Sequence, residues 1–320
     1  MQATVVIPTF NRSKRLGELL RCLTNQGDAL ARVVVCDDGS TDDTAEVVRS
    51  FAGRLPVVYA HQENRGFRAG QARNMGIARA VGEVIVFVDD DVLVAPDFVA
   101  GHLAAHVAGA SAPRLAVGYR SRAFDFHRDQ PAWDDILRAE ADDRVSEIGP
   151  DGHGIGSHAT PWFFVYSCNF SVTRHPSEEV RFDDAFVGWG MEDIELGYRL
   201  HRRGYEVVSA PRARVLHIED PRPRDPFRCE VRAIEPVYDS YVRNSVYFMD
   251  KYPDDPALAD LIRTDMRWYV RDEARDAWVK NGHANDVEAV LAFCRRERIQ
   301  RARTHAVEMT AQIQETAGGE

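Results

Sequence analysis

Four short runs of aliphatic, mostly β-branched residues recur through the amino-terminal part of the chain: TVVIP (4–8), RVVVC (32–36), LPVVY (55–59) and EVIVFV (83–88). Each is apolar at consecutive positions, so each strand must be covered on both faces, as in a parallel sheet layered between helices. The intervening segments have helical spacing. Leu16, Leu19, Leu20 and Leu23 fall at i, i+3, i+4 and i+7 after Asn11, a residue suited to cap a helix. Further helices are expected from about Asp42 to Phe51 and from Gly70 to Ala80. Strand–helix alternation with short connections gives right-handed βαβ units, which bind ligands beyond the carboxyl ends of their strands. Asp38 and the triplet Asp89, Asp90 and Asp91 both lie at such ends, so they are expected to face one crevice.

A chain of 320 residues with 44% hydrophobic and 28% charged residues can bury one large core, or one core and an appendage. Its net charge of −10 argues against a general nucleic-acid binder. Cys22, Cys36, Cys168, Cys229 and Cys294 are scattered and odd in number, with no C-x-x-C spacing, which fits reduced thiols in a cytoplasmic protein. MQATVVIPTF reads as a first strand and not as a signal peptide, and no run approaches the length of a membrane span.

Periodicity weakens from about 110 to 185. GHGIG (152–156) reads as flexible, and PWFFVYSCNFSVT (161–173) as one or two strands. EDIELGYRLHRRG (192–204) has the pattern of a helix closed by Gly204, followed by short strands near EVVSA and RVLHI. PRPRDP (221–226) marks a boundary between a domain over 1–225 and a mostly helical extension over 226–320 that ends in a frayed TAGGE tail.

Three clusters offer chemistry. Carboxylates spaced D-x-D at a strand end can hold Mg²⁺ or Mn²⁺, which takes one or two protein carboxylates beside phosphates and water. If strand geometry persists, Asp89 and Asp91 point one way and Asp90 the other; a solvated acidic turn is the plainer alternative. Asp38 could accept a nucleobase N–H, and Arg73, early in a helix, suits a nucleotide, whereas Arg65 and Arg68 read as surface ion-pair residues. In FVGWGMEDIELGYRL (186–200), Glu192 and Asp193 open a helix, where the helix dipole alone favours acidic residues. Beside Trp189, a flat platform for a sugar ring, a carboxylate there could instead take a proton from a hydroxyl. His217 ends another short strand and would add a nitrogen ligand if it reaches the Asp triplet.

The ordered set VVIPTFNR (5–12), VVVCDDGSTDDT (33–44), ENRGFRAGQARNMGI (63–77) and FVDDDVLVAPDF (87–98) resembles the family 2 glycosyltransferases of GT-A fold over roughly residues 3 to 220. FDDAFVGWGMEDIELGYRL is similar to the W-G-x-E-D region of galactosyl- and N-acetylgalactosaminyltransferases. The resemblance implies a Rossmann-like α/β fold, a mostly parallel central sheet flanked by helices, with a carboxyl-terminal helical extension. It implies transfer of one sugar from a nucleotide-diphosphate sugar, most naturally UDP-linked, to a hydroxyl of a glycan, lipid-linked or natural-product acceptor, with inversion. Pro8 and Thr9 would line the nucleotide pocket, Asp38 and Arg73 contact the base, and Asp89 and Asp90 sit near the ribose and metal. Asp91 and His217 would ligate Mn²⁺ or Mg²⁺, Asp193 would be the general base, and Glu192 would position hydroxyls. Met191 stands where the family often has Gly, and the Q-x-x-R-W motif and membrane helices of processive members are missing. A catalytically inactive nucleotide-sugar-binding module is the alternative, and a sugar-phosphate nucleotidyltransferase a more distant one. The carboxyl-terminal helices suit either a homodimer contact or a membrane-docking face.

Overall fold

The computed structural model describes residues 1–106, 112–124, 140–141, 144, 149, 153–174, 180–219, 236–274, 276–280 and 283–300. The chain divides into two units, one of Met1–Val187 with Glu192–Arg224, the other of Gly188–Met191 with Asp225–Glu320. PRPRDP and the TAGGE tail lie outside the described residues.

In the first unit, strands β1 (Ala3–Thr9), β2 (Leu30–Asp37), β3 (Val57–His61) and β4 (Val84–Val88) alternate with helices α1 (Ser13–Leu23), α2 (Thr44–Ser50) and α3 (Ala69–Ile77). The four strands are parallel in the order β3-β2-β1-β4, the arrangement read from the apolar runs. The sheet then becomes mixed. After β5 (Val92–Val94), α4 (Phe98–Ala105), β6 (Arg114–Phe124) and β7 (Glu140–Ala141) come β8 (Asn169–Thr173), α5 (Glu192–Arg202) and β9 (Glu206–Glu219). β8 runs antiparallel between β4 and β6, β9 is parallel to β6, and β5 closes the order antiparallel to β9.

Alternation along the parallel strands fills two cores. Val5, Ile7, Val33, Val35, Val84 and Val86 face one layer with the four leucines of α1, all buried. Val6, Val34, Ile85 and Phe87 face the other, where Phe87 stacks on Phe170 at 4.8 Å and meets Phe182 edge-on at 5.3 Å. α3 lies so close on this face that a Cβ at Gly76 would sit 2.3 Å from Val6 Cγ1 and 2.9 Å from Cys36 Sγ.

Several elements differ from the sequence reading. Asn11 does not cap α1. Its backbone is left-handed (φ 52°), its side-chain oxygen accepts from Thr41 N at 2.8 Å, and Asp42 Oδ2 caps Ser13 N at 2.9 Å instead. Residues 153–157 and 161–164 form 3₁₀ turns, leaving one strand, β8, in the 161–173 stretch. The two short strands read after 204 are one continuous β9, its pairing to β6 interrupted by a register slip between Gly118 and Tyr119.

The second unit contains α6 (Pro236–Lys251), α7 (Pro256–Met266), a hairpin of β10 (Tyr269–Asp272) and β11 (Ala277–Lys280), and α8, helical from 287 to 300. Asp255 caps α7 by accepting from Leu258 N at 2.9 Å, with Pro256 at the first helical position, where its missing N–H costs nothing. Val242, Val246, Phe248, Leu258, Ile262, Trp278 and Leu291 form its buried interior. Asp239 joins helix to hairpin by accepting from Trp278 N at 3.0 Å and Arg271 Nη1 at 3.3 Å. Asp250 joins α6 to α8 by accepting from Arg295 and Arg298, each at 2.7 Å.

Candidate active site

The carboxyl ends of β1, β2 and β4 gather the acidic groups of the first unit. β4 ends at Val88, and the chain turns at once, so strand alternation does not carry through the triplet. Asp90 turns inward. Its Oδ2 accepts from Thr9 Oγ1 at 2.7 Å, and its Oδ1 from Arg12 Nη1 at 3.2 Å. The same Arg12 nitrogen donates to Asp91 Oδ2 at 2.6 Å, so Asp90 and Asp91 share one guanidinium. Burial pushes the Asp90 carboxyl up to about 7, with Arg12 opposing and Asp91 adding to the rise. Pro8, one residue before Thr9 on β1, pairs with Cys36 of β2 and is partly buried.

Asp91 meets His217 because β5 and β9 pair Val92 with His217, and Ile218 N donates to the Asp91 carbonyl at 2.9 Å. His217 Nε2 then lies 3.4 Å from Asp91 Oδ1, a buried oxygen that makes no hydrogen bond among the described residues. Two ligands about 2.1 Å from an octahedral cation lie roughly 3 Å apart when adjacent, so this pair fits one divalent ion. A carboxylate oxygen with an imidazole nitrogen suits Mn²⁺ better than Mg²⁺. Among the described residues no group of three or more such ligands exists, so phosphate oxygens and water would complete the shell.

Arg73 is buried, with its guanidinium 5.4 Å from the Phe182 ring centroid. Nη2 donates to Asp89 Oδ1 at 2.9 Å and Nη1 to Glu192 Oε1 at 3.1 Å. Burial works against its charge, but Asp89 and Glu192 more than offset that and keep it cationic. The second Glu192 oxygen is buried and makes no hydrogen bond among the described residues. Burial, reinforced by Asp193 and resisted by Arg73, raises the Glu192 carboxyl above its ordinary range. Asp193 is also raised by burial, against the stabilising bond from Ser167. Both of its oxygens accept backbone amides, Oδ2 from Ser167 N at 2.8 Å and Oδ1 from Ile194 N at 2.9 Å, at the amino end of α5.

Asp38 is buried at the end of β2. It accepts from Gln62 Nε2 at 2.6 Å, Arg68 Nη2 at 2.8 Å and Arg68 N at 3.0 Å. Arg68 is thus not the surface residue expected from its sequence, and its pairing takes up hydrogen-bonding capacity of Asp38. Arg12 is a site residue that the sequence reading misses; a basic residue in the turn after β1, with three carboxylates in the turn after the neighbouring β4, is the signal that could have found it. Trp189 belongs to the second unit, where its ring lies 5.6 Å from Tyr241. Met191, in the same segment, has a left-handed backbone (φ 72°), which accounts for the advantage of glycine there.

Residues 4–167, just over half of the chain, match the family model described as "Glycosyl transferase family 2". The chain belongs to that family. Among family 2 relatives, validoxylamine A glucosyltransferase from Streptomyces hygroscopicus subsp. jinggangensis is 37% identical over 219 residues, covering 63% of this chain and 51% of that protein. The chain spans about half the length of the curated relatives it matches first. Of the solved structures, S. aureus TarS 1-349 in complex with UDP-GlcNAc superposes with a TM-score of 0.51 and 17% identity, covering 82% of this chain and 70% of that one. GalNAc-T7 with UDP, GalNAc and Mn²⁺ gives a TM-score of 0.53 and 19% identity, covering 83% and 54%. At these identities the likeness is one of fold, and it makes the family 2 chain a GT-A α/β protein.

Proposed function

We propose that the protein is a metal-dependent, inverting glycosyltransferase that moves one sugar from a UDP-linked donor to an acceptor hydroxyl. The observation that carries this reading is Arg73, whose single guanidinium ties Asp89 of the strand-end acidic cluster to Glu192 beside Asp193. A cluster suited to a cation and diphosphate is thereby held next to a carboxylate suited to take a proton. The names of the solved relatives, with UDP or UDP-GlcNAc bound, favour the UDP donor. The likeness of the 188–193 segment to the W-G-x-E-D region supports the catalytic assignment.

In this reading Asp193 accepts the proton of the acceptor hydroxyl as its oxygen bonds to the anomeric carbon from the face opposite the diphosphate. The bond from that carbon to the phosphate oxygen breaks, and the nucleoside diphosphate leaves with the electron pair. The two amides on Asp193 fix the direction in which its carboxylate points. Glu192 and Arg73 orient hydroxyls and hold Asp89 in place, while Thr9 and Arg12 fix Asp90. Asp38 serves the nucleobase side together with Arg68, and Pro8 lines the same pocket. Trp189 offers a sugar ring its indole face. Asp91 and His217 would hold Mn²⁺ or Mg²⁺, which supplies positive charge to the departing diphosphate.

The test is a UDP-release assay with Mn²⁺ over a panel of nucleotide sugars and ring-hydroxyl acceptors, validoxylamine A included. Acceptor-dependent UDP release supports the reading. Binding without turnover across the panel would point to a binding module, and pyrophosphate release from UTP and a sugar phosphate to a nucleotidyltransferase.

A further inference from the structure

We infer that Arg12 binds the donor diphosphate through the open Nε–Nη2 edge of its guanidinium, and does so with or without a metal. The inference rests on the reading of the strand-end crevice as a nucleotide-sugar site. Because β1 and β4 are neighbours, the turn after β1 brings Arg12 to the acidic turn after β4. The Arg12 side chain is 47% exposed, and an arginine so exposed ordinarily gains little from a surface ion pair. This one is fastened at one end. Its Nη1 alone donates to Asp91 Oδ2 at 2.6 Å and to Asp90 Oδ1 at 3.2 Å. Asp90 is itself fixed, buried and with its other oxygen accepting from Thr9 Oγ1 at 2.7 Å.

The other end is unused. Nε and Nη2 of Arg12 make no hydrogen bond among the described residues. That edge of a guanidinium presents a fork of parallel donors, the shape that meets two oxygens of one phosphate. A lysine would serve Asp90 and Asp91 equally well as a point charge; the second edge is what arginine adds. Arg68 and Arg73, the other guanidinium groups assigned to this crevice, offer no such edge. Nη1 and Nη2 of both are hydrogen-bonded, and the Nε atoms of both are buried. Asp91 explains why the open edge belongs to the diphosphate. Its Oδ2 fastens Arg12, while its Oδ1 lies 3.4 Å from His217 Nε2, the pair suited to a divalent cation. A diphosphate drawn to that cation is therefore drawn to the carboxylate that already holds Arg12. All of these residues belong to the first unit.

The experiment measures the affinity of the full chain for UDP and for uridine by calorimetry, once with Mn²⁺ and once in EDTA. Folding is followed by thermal denaturation. Arg12→Gln keeps a donor for Asp90 and Asp91 but loses the fork and the charge. It is expected to weaken UDP binding about 10-fold in both conditions, with uridine affinity within about twofold of wild type. Arg12→Lys keeps the charge, and carries the test should the glutamine variant fold poorly. It should still bind UDP at least about threefold more weakly than wild type, because an ammonium has no fork. UDP affinity of Arg12→Gln within twofold of wild type in either condition overturns the inference. So does a uridine affinity that falls in step, or a lysine variant that binds UDP as wild type does. A wild type that prefers UDP to uridine only when Mn²⁺ is present overturns it as well. No preference for UDP over uridine even with Mn²⁺ overturns the underlying reading of the crevice instead.

Discussion

Arg73 is buried with one of its two ionic partners, Glu192, while the other, Asp89, is partly exposed. Its removal strands the Asp89 and Glu192 carboxylates, and breaking a buried pair from one side typically costs about 3–5 kcal/mol. Arg73→Met is therefore expected to lower the unfolding free energy by about that amount, measured by denaturant titration, and to abolish transfer. Asp193→Asn differs, since the amide keeps the shape and one acceptor oxygen. Transfer should fall by at least ~10²-fold while calorimetry finds UDP affinity near wild type. Turnover near that of wild type would remove Asp193 from its assigned role. The acidic limb of kcat/KM should report the same group: Asp193 must be ionised to take a proton, and burial raises its pKa. The rate should thus rise with pH through a midpoint above 3.8, the ordinary aspartate value, and the limb should vanish in the residual activity of the Asn variant.

At the level of elements, α4 packs two neutral histidines against β8. His102 contacts Asn169 Oδ1 and Ser171 Oγ, each at 2.9 Å, and His106 contacts Ser171 Oγ at 2.8 Å and Thr173 Oγ1 at 3.2 Å. Burial pushes His102 down to about 3 and His106 to about 4, with His106 adding to the effect on the first and Arg114 on the second. Below 6.5 the unfolded chain takes up protons that the folded one refuses. The stability these sites contribute is therefore complete above that pH and lost as pH falls toward 4. At pH 5 the loss is about 2 kcal/mol for each histidine. Asp90 and Glu192, with raised pKa values, bind protons in the folded state and work in the opposite sense. The direct check is the imidazole NMR signals of His102 and His106, which should not titrate between pH 8 and 5.

Elements also decide how much of this protein was legible in its sequence. β1, β2 and β4 were readable because strands buried on both faces must be continuously apolar, and the α1 leucines because one buried face repeats at helical spacing; β3, at the sheet edge with Tyr59 and His61 exposed, is an apolar run not covered on both faces. β5 was not, because three residues carry no period, and without β5 the meeting of Asp91 with His217 has no local signature. That proximity was available only through family resemblance. The Arg73 bridge escaped for a related reason: its partners lie 16 and 119 positions away, and a side chain suited to a nucleotide is equally suited to two carboxylates. The β10–β11 hairpin hid in a charged stretch whose neighbours are helical.

For the whole molecule, Arg12 matters beyond its immediate contacts. It supplies positive charge to Asp90 and Asp91, so the acidic crevice has a countercharge of its own. Chelation is accordingly expected to stop transfer and, in the protein without nucleotide, to move the thermal midpoint by no more than about 2 °C, under 1 kcal/mol for a domain of this size. A larger shift would mean that a metal is part of the folded framework. The assignment of Gly188–Met191 to the second unit has a different consequence. The polypeptide passes between the units three times, so recombination between relatives at a single junction near 225 would combine a loop from one parent with an α6 from the other. Productive chimaeras should be those that exchange 188–191 together with the carboxyl-terminal segment.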